Sequence, residues 1–145
     1  MGLKYKEGLR LVSKDCGEFQ TKKVGQNYLV MNGKKIFEFA TDILTEAVHD
    51  VLEGTKYKFK DVDAIVPHGA NIRIINVAEE GLRKKGFKGK ICTNLDMVGN
   101  ISTASVPIAT DDTIKKGNIK NGDLVVYVAF GAGLTWGASL ARLYF

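Results

Sequence analysis

Hydrophobic residues in the chain change period along its length, and the changes mark out its elements. From residue 34 to 53 the period is helical: Ile36, Ala40, Leu44, Ala47, Val48 and Val51 recur at three- and four-residue steps, while Glu38, Asp42, Glu46, His49 and Glu53 fall on the opposite face. Gly54 then stops the helix. A short continuous apolar run, Ala64-Ile65-Val66, ends at Pro67 and reads as a strand buried on both faces of a sheet. Asn71 can cap a second helix running to about Gly86, with Ile74, Ile75, Ala78 and Leu82 turned inward. Residues 91–95 read as another strand, and 103–116 as a helix with Pro107 in its first turn, where a missing N–H is harmless. The strongest strand is 124–130, and the alternation over 134–144 returns as its neighbour. Residues 1–32 are polar and irregular, with strand candidates at 9–12 and 28–31. Strand–helix alternation closed by a terminal strand pair predicts an α/β fold, a mixed five-stranded sheet covered by helices, formed by residues 1–145 as a single domain.

Composition narrows the class. A chain of 145 residues can bury about 68–70% of its unfolded surface. No apolar run approaches the roughly 20 residues needed to cross a bilayer, and the charged first ten residues lack the apolar core of a secretory signal. The expectation is a cytoplasmic protein that does not enter membranes. Two cysteines, Cys16 and Cys92, are too few for a disulfide framework and have no metal-type spacing. The net charge of +5 is spread along the chain without interleaved aromatics, which argues against nucleic acid. A run of cations at Arg83, Lys84, Lys85, Lys88 and Lys90 has two readings: a solvated helix end favoured by the dipole, or a contact for an acidic partner.

Three polar loops remain. Val66-Pro67-His68-Gly69-Ala70-Asn71 follows one strand, Gly99-Asn100-Ile101-Ser102-Thr103-Ala104-Ser105-Val106-Pro107 lies beyond a second, and Phe130-Gly131-Ala132-Gly133-Leu134-Thr135-Trp136-Gly137 follows a third. In α/β sheets, sites form outside the carboxyl ends of the strands, so these loops can converge. A histidine, an asparagine and a glycine-rich turn make a cluster of donors able to hold the oxygen of an activated carbonyl. Taken alone, His68 at a strand end also fits a structural role. His49, on the polar face of its helix, reads as a surface residue, and Met31, Met97 and Trp136 read as packing.

In this order and spacing the three segments resemble the C-terminal half of the 3-oxoacyl-acyl-carrier-protein synthase III family. The resemblance is strongest from 32 to 145, with the Thr135-Trp136-Gly137 ending favouring that branch over its relatives. It implies one half of a thiolase-like fold and an acyltransferase of fatty-acid synthesis, which condenses an acyl group from acyl-coenzyme A with malonyl-acyl carrier protein. No cofactor beyond these substrates and no metal is implied. By resemblance His68 and Asn100 are catalytic donors to the malonyl thioester oxygen. Ala132, in the Gly131–Gly133 turn, offers a backbone N–H to the acyl-cysteine, Phe130 crowds the malonyl carboxylate, and Arg73, with Asn71 beside it, contacts carrier protein or coenzyme A. The family usually has Gln where Gly69 stands, which predicts a looser loop; Ala132 replaces a frequent glycine and requires a negative φ. The cysteine nucleophile of the family has no counterpart: Cys92 falls in a predicted buried strand, and Cys16 lies among carboxylates outside the resembling region. Three arrangements follow from that lack. The chain is part of a longer enzyme, or a split subunit pairing with a cysteine-bearing N-terminal half or with itself, or a binding module without turnover.

Overall fold

The computed structural model describes residues 4–5, 10–15, 32–132 and 134–145, the first two segments by their backbone. The strands are β1 (Lys4–Tyr5), β2 (Arg10–Asp15), β3 (Ala64–Pro67), β4 (Lys90–Ile91), β5 (Leu124–Gly131) and β6 (Thr135–Tyr144). They form one sheet in the order β1-β6-β5-β3-β4, with β2 also on β6. Since β1 pairs with Leu143 and Tyr144 while β2 pairs with residues 135–140, the two segments lie end to end along one edge of β6. The sheet is therefore five positions wide. The β3–β4 and β3–β5 pairs are parallel and the rest antiparallel, the mixed sheet expected. The strand candidates at 28–31 and residue 9 lie outside the described residues.

Helix α1 (Gly33–Leu52) is capped by Asn32, whose side chain accepts the Lys35 N–H, and it buries Ala40, Ile43, Leu44, Ala47, Val48 and Val51. Helix α2 (Ile72–Lys84) starts at Asn71, whose Oδ1 accepts the Arg73 N–H at 2.9 Å, and turns Ile74, Ile75, Ala78 and Leu82 inward. Both lie on one face of the sheet, against Ile65, Val126, Val128, Trp136 and Leu140. On the other face α4 (Ser105–Lys115) sets Ala109 over Ala64, Val66, Val125 and Leu143. The sides alternate along each strand, as the pleat requires.

One element differs from expectation. The strand predicted over 91–95 ends at Ile91, and Leu95 begins the single helical turn α3 (Leu95–Val98). The Cys92 N–H still reaches Ile65 O at 2.8 Å, but Thr93 Oγ1 then accepts the Leu95 N–H and the chain turns away. Met97, read as packing, is 74% exposed on that turn. Trp136 is buried as expected, and His49 is exposed beside Asp50. Near β4 the backbone of Gly89 runs so close to Asp63 O and Val62 O that a Cβ there would collide with both.

Candidate active site

Parallel pairing carries β3 one residue past Pro67, because the His68 N–H donates to Val128 O at 2.7 Å. This sets the His68 ring at the carboxyl end of the sheet, half-buried, with the edge of one ring against the other where it meets Phe130 (centroids 5.2 Å apart, planes at 77°). Nδ1 lies 2.7 Å from Ser105 Oγ, at the first residue of α4. The same oxygen accepts the Gly69 N–H at 3.3 Å. Among the described residues Nε2 has no protein partner. Burial lowers the His68 pKa from its ordinary 6.5, so the ring is neutral at neutral pH.

The ring opens on a cavity of about 510 Å³ whose walls include Ser105, Val106, Tyr127, Phe130, Ala132 and Ser139. The N-terminus of α4 faces it, which favours negative charge there. Small residues at Ala129, Gly137 and Ser139 leave the space open. Ala132 is exposed at the turn after β5, its φ is not positive, and its N–H has no acceptor among the described residues. Gly133 lies outside the described residues.

Asn100 sits apart from these walls, exposed on the turn that precedes α4. Its Oδ1 accepts the Ser102 N–H at 2.9 Å, which ties up the carbonyl end and leaves the NH₂ end to donate. Ser102 follows with φ +56°, a conformation costly for serine, so the turn is held rather than relaxed. The structure thus brings His68, Phe130, Gly131 and Ala132 to one cavity and leaves Asn100 outside its walls, bonded to the N–H of Ser102, a lining residue. Asn71 is spent on capping α2, and Arg73 is exposed in that first turn. Arg83 is engaged with Glu79 and with Gly89 O, which takes it out of the supposed cationic patch.

Gly69 corrects an expectation. The position is buried and hydrogen-bonded rather than loose, and a Cβ there would touch Ser105 Cβ at 3.4 Å and Leu95 Cδ1 at 3.5 Å. Cys92 is buried, with its thiol pKa pushed up by that burial, which keeps it inert; Cys16 lies outside the described residues. The contact of Ser105 with His68 had no counterpart in the sequence reading. The only signal for it was a hydroxyl at the start of a predicted helix, which ordinarily reads as a cap.

Residues 52–143 match the family described as 3-oxoacyl-[acyl-carrier-protein] synthase III C terminal. The chain belongs to the 3-oxoacyl-acyl-carrier-protein synthase III family. It is 46% identical over 123 residues to beta-ketoacyl-[acyl-carrier-protein] synthase III of Clostridium perfringens, covering 84% of this chain and 37% of that one. The synthase III of Symbiobacterium thermophilum is 42% identical over 124 residues, covering 85% and 37%. The chain therefore spans little more than a third of the length of the curated relatives it matches. Its fold superposes on the crystal structure of the Thermus thermophilus synthase III with a TM-score of 0.79 at 33% identity, over 96% of this chain and 48% of that one. The synthase III of Aquifex aeolicus gives 0.75 at 36%, over 92% and 43%. The thiolase-like α/β architecture expected from sequence is thereby established. No helix among the described residues is long and apolar enough to cross a membrane.

Proposed function

We propose that this chain is the histidine- and asparagine-bearing half of a condensing acyltransferase that joins an acyl group from acyl-coenzyme A to malonyl-acyl carrier protein. A cysteine supplied from outside the described residues, by a complementary half, takes the acyl group and releases coenzyme A. The bond between the malonyl carboxylate and its neighbouring carbon then breaks. Carbon dioxide leaves, and the electron pair moves into the thioester as an enolate. The enolate carbon attacks the acyl-cysteine carbonyl and expels the cysteine thiolate. His68 Nε2 and Asn100 Nδ2 hydrogen-bond the enolate oxygen, the Ala132 N–H serves the acyl-cysteine oxygen, and Phe130 keeps the leaving carboxylate in an apolar setting.

The observation that carries this reading is a half-buried neutral histidine anchored through Nδ1, with Nε2 unpartnered among the described residues, on the same cavity as the unpaired Ala132 N–H. Exposed Arg73 is the assigned contact for the acidic carrier. Met97 and Ile108, 74% and 43% exposed, are assigned to the surface that meets the cysteine-bearing half or a second copy.

The test mixes the chain with a cysteine-bearing half from a family member and follows malonyl decarboxylation. His68→Ala or Asn100→Ala should each lower that rate by about 10²–10³, while labelling of the partner's cysteine by acetyl-coenzyme A survives. The chain alone should take up no acyl group. Full condensation by both variants, or a thioester adduct on Cys16 or Cys92 of the chain alone, overturns the reading.

A further inference from the structure

The hydroxyl of Ser105 meets three groups at once: His68 Nδ1 at 2.7 Å, Ser102 O at 2.8 Å and the Gly69 N–H at 3.3 Å. A hydroxyl has one hydrogen and two lone pairs. Gly69 N–H can only donate and Ser102 O can only accept, so the third contact fixes the proton of the histidine. With the hydroxyl hydrogen on Ser102 O, all three contacts are hydrogen bonds provided that His68 Nδ1 carries a hydrogen, and Nε2 then presents a lone pair to the cavity. With the hydroxyl turned to Nδ1, the ring hydrogen sits on Nε2 and only two contacts are kept. That second state is accessible because Ser102 O also accepts the backbone N–H of Ser105 and so keeps a partner when the hydroxyl leaves.

We propose that Ser105 is a positioning residue whose hydroxyl holds His68 as the Nδ1–H tautomer before substrate binds, and whose rotation toward Nδ1 permits the Nε2–H tautomer that can donate to a thioester oxygen. The first half is a statement about the free chain. The second rests on the donor role proposed above for His68. A histidine ring free in water prefers the hydrogen on Nε2, so the Nδ1–H form is the mark of a specific acceptor rather than a default. Ser105 is buried and part of the same hydrogen-bonded cluster as the buried Gly69, which shields that acceptor from competing water.

The chain contains two histidines, so His49→Gln at the exposed site leaves a single ring to observe by nitrogen-15 NMR. At neutral pH the 145-residue chain should show His68 Nδ1 at the protonated, pyrrole-type shift and Nε2 at the unprotonated, pyridine-type shift. Ser105→Ala should invert the majority tautomer to Nε2–H, and Ser105→Thr, which keeps the hydroxyl, should restore it. A purely structural serine predicts a lower melting temperature for Ser105→Ala with an unchanged tautomer. A majority Nε2–H ring in the parent chain, or no inversion in a folded Ser105→Ala, overturns the proposal. If Ser105→Ala does not fold, the parent spectrum decides by itself. The tautomer is read without substrate. If it is as expected while His68→Ala leaves decarboxylation intact, the condensing reading fails and the role of Ser105 in holding the ring stands.

Discussion

The two faces of the sheet are packed for different ends. Beneath α1 and α2, branched and aromatic side chains of β3, β5 and β6 meet Leu44, Val48 and Val51 and leave only a void of about 10 Å³ beside Leu44 and Ile75; Val48, Val51, Val126 and Val128 have no exposure at all. The opposite face is covered by α4 only over its first half, where Ala109 sits on Ala64 and Val125. Beyond that, alanine, glycine and serine leave the cavity that His68 lines. The pleat allows one strand to serve both: alternate residues of β5 close one side and open the other. A sheet held rigid by a closed face can carry a second face that is concave and largely apolar, with a few polar groups such as His68 and Ser105 at its wall, which is where sites are expected.

The comparison can be broken most sharply from its closed side. Leu44→Ala, 2% exposed against the sheet, should lower stability by about 2–5 kcal/mol in denaturant unfolding. Val106→Ala, half-buried at the cavity, should cost clearly less; equal losses would mean the two faces are packed alike.

A smaller effect comes from pH. Burial holds the folded His68 pKa below 6.5, so above that value both states are neutral and nothing is lost. As pH falls through 6.5 the unfolded chain takes up the proton first, and stability declines until the folded pKa is also passed. Melting temperatures of the parent should therefore fall more steeply below 6.5 than those of His68→Gln. Parallel profiles for the two chains would show that the ring is not desolvated. The smallest effect is expected at the far end of α4, where Lys115 and Asp111 pair in full solvent; Lys115→Gln should leave the melting temperature unchanged within error.

Much of this was legible in advance. The face of α1 could be assigned because its apolar residues keep the helical period, and all but Ile36 of the residues expected inward are buried. The Asn71 cap and the inward set of α2 were likewise local. The strand expected over 91–95 is shorter than its pattern suggests because the Thr93 side chain bonds the backbone two residues on and ends it. Met97 is exposed where packing was expected, for a different reason: on so short a turn there is no period to say which way it points.

The order and kind of the main helices and of the strands β3, β5 and β6, the cap of α2 and the family to which the chain belongs were written in local pattern and motif, because period, turn chemistry and glycine placement act within a few residues. What the tertiary structure alone decided is the relation between residues far apart in sequence. It put Ser105 against His68, 37 residues away, and left the cavity under half of one sheet face. Such contacts depend on where α4 lands on the sheet. That is fixed by the packing of Ala109 and its neighbours against β3 and β5, and no short stretch of sequence contains both sides of it.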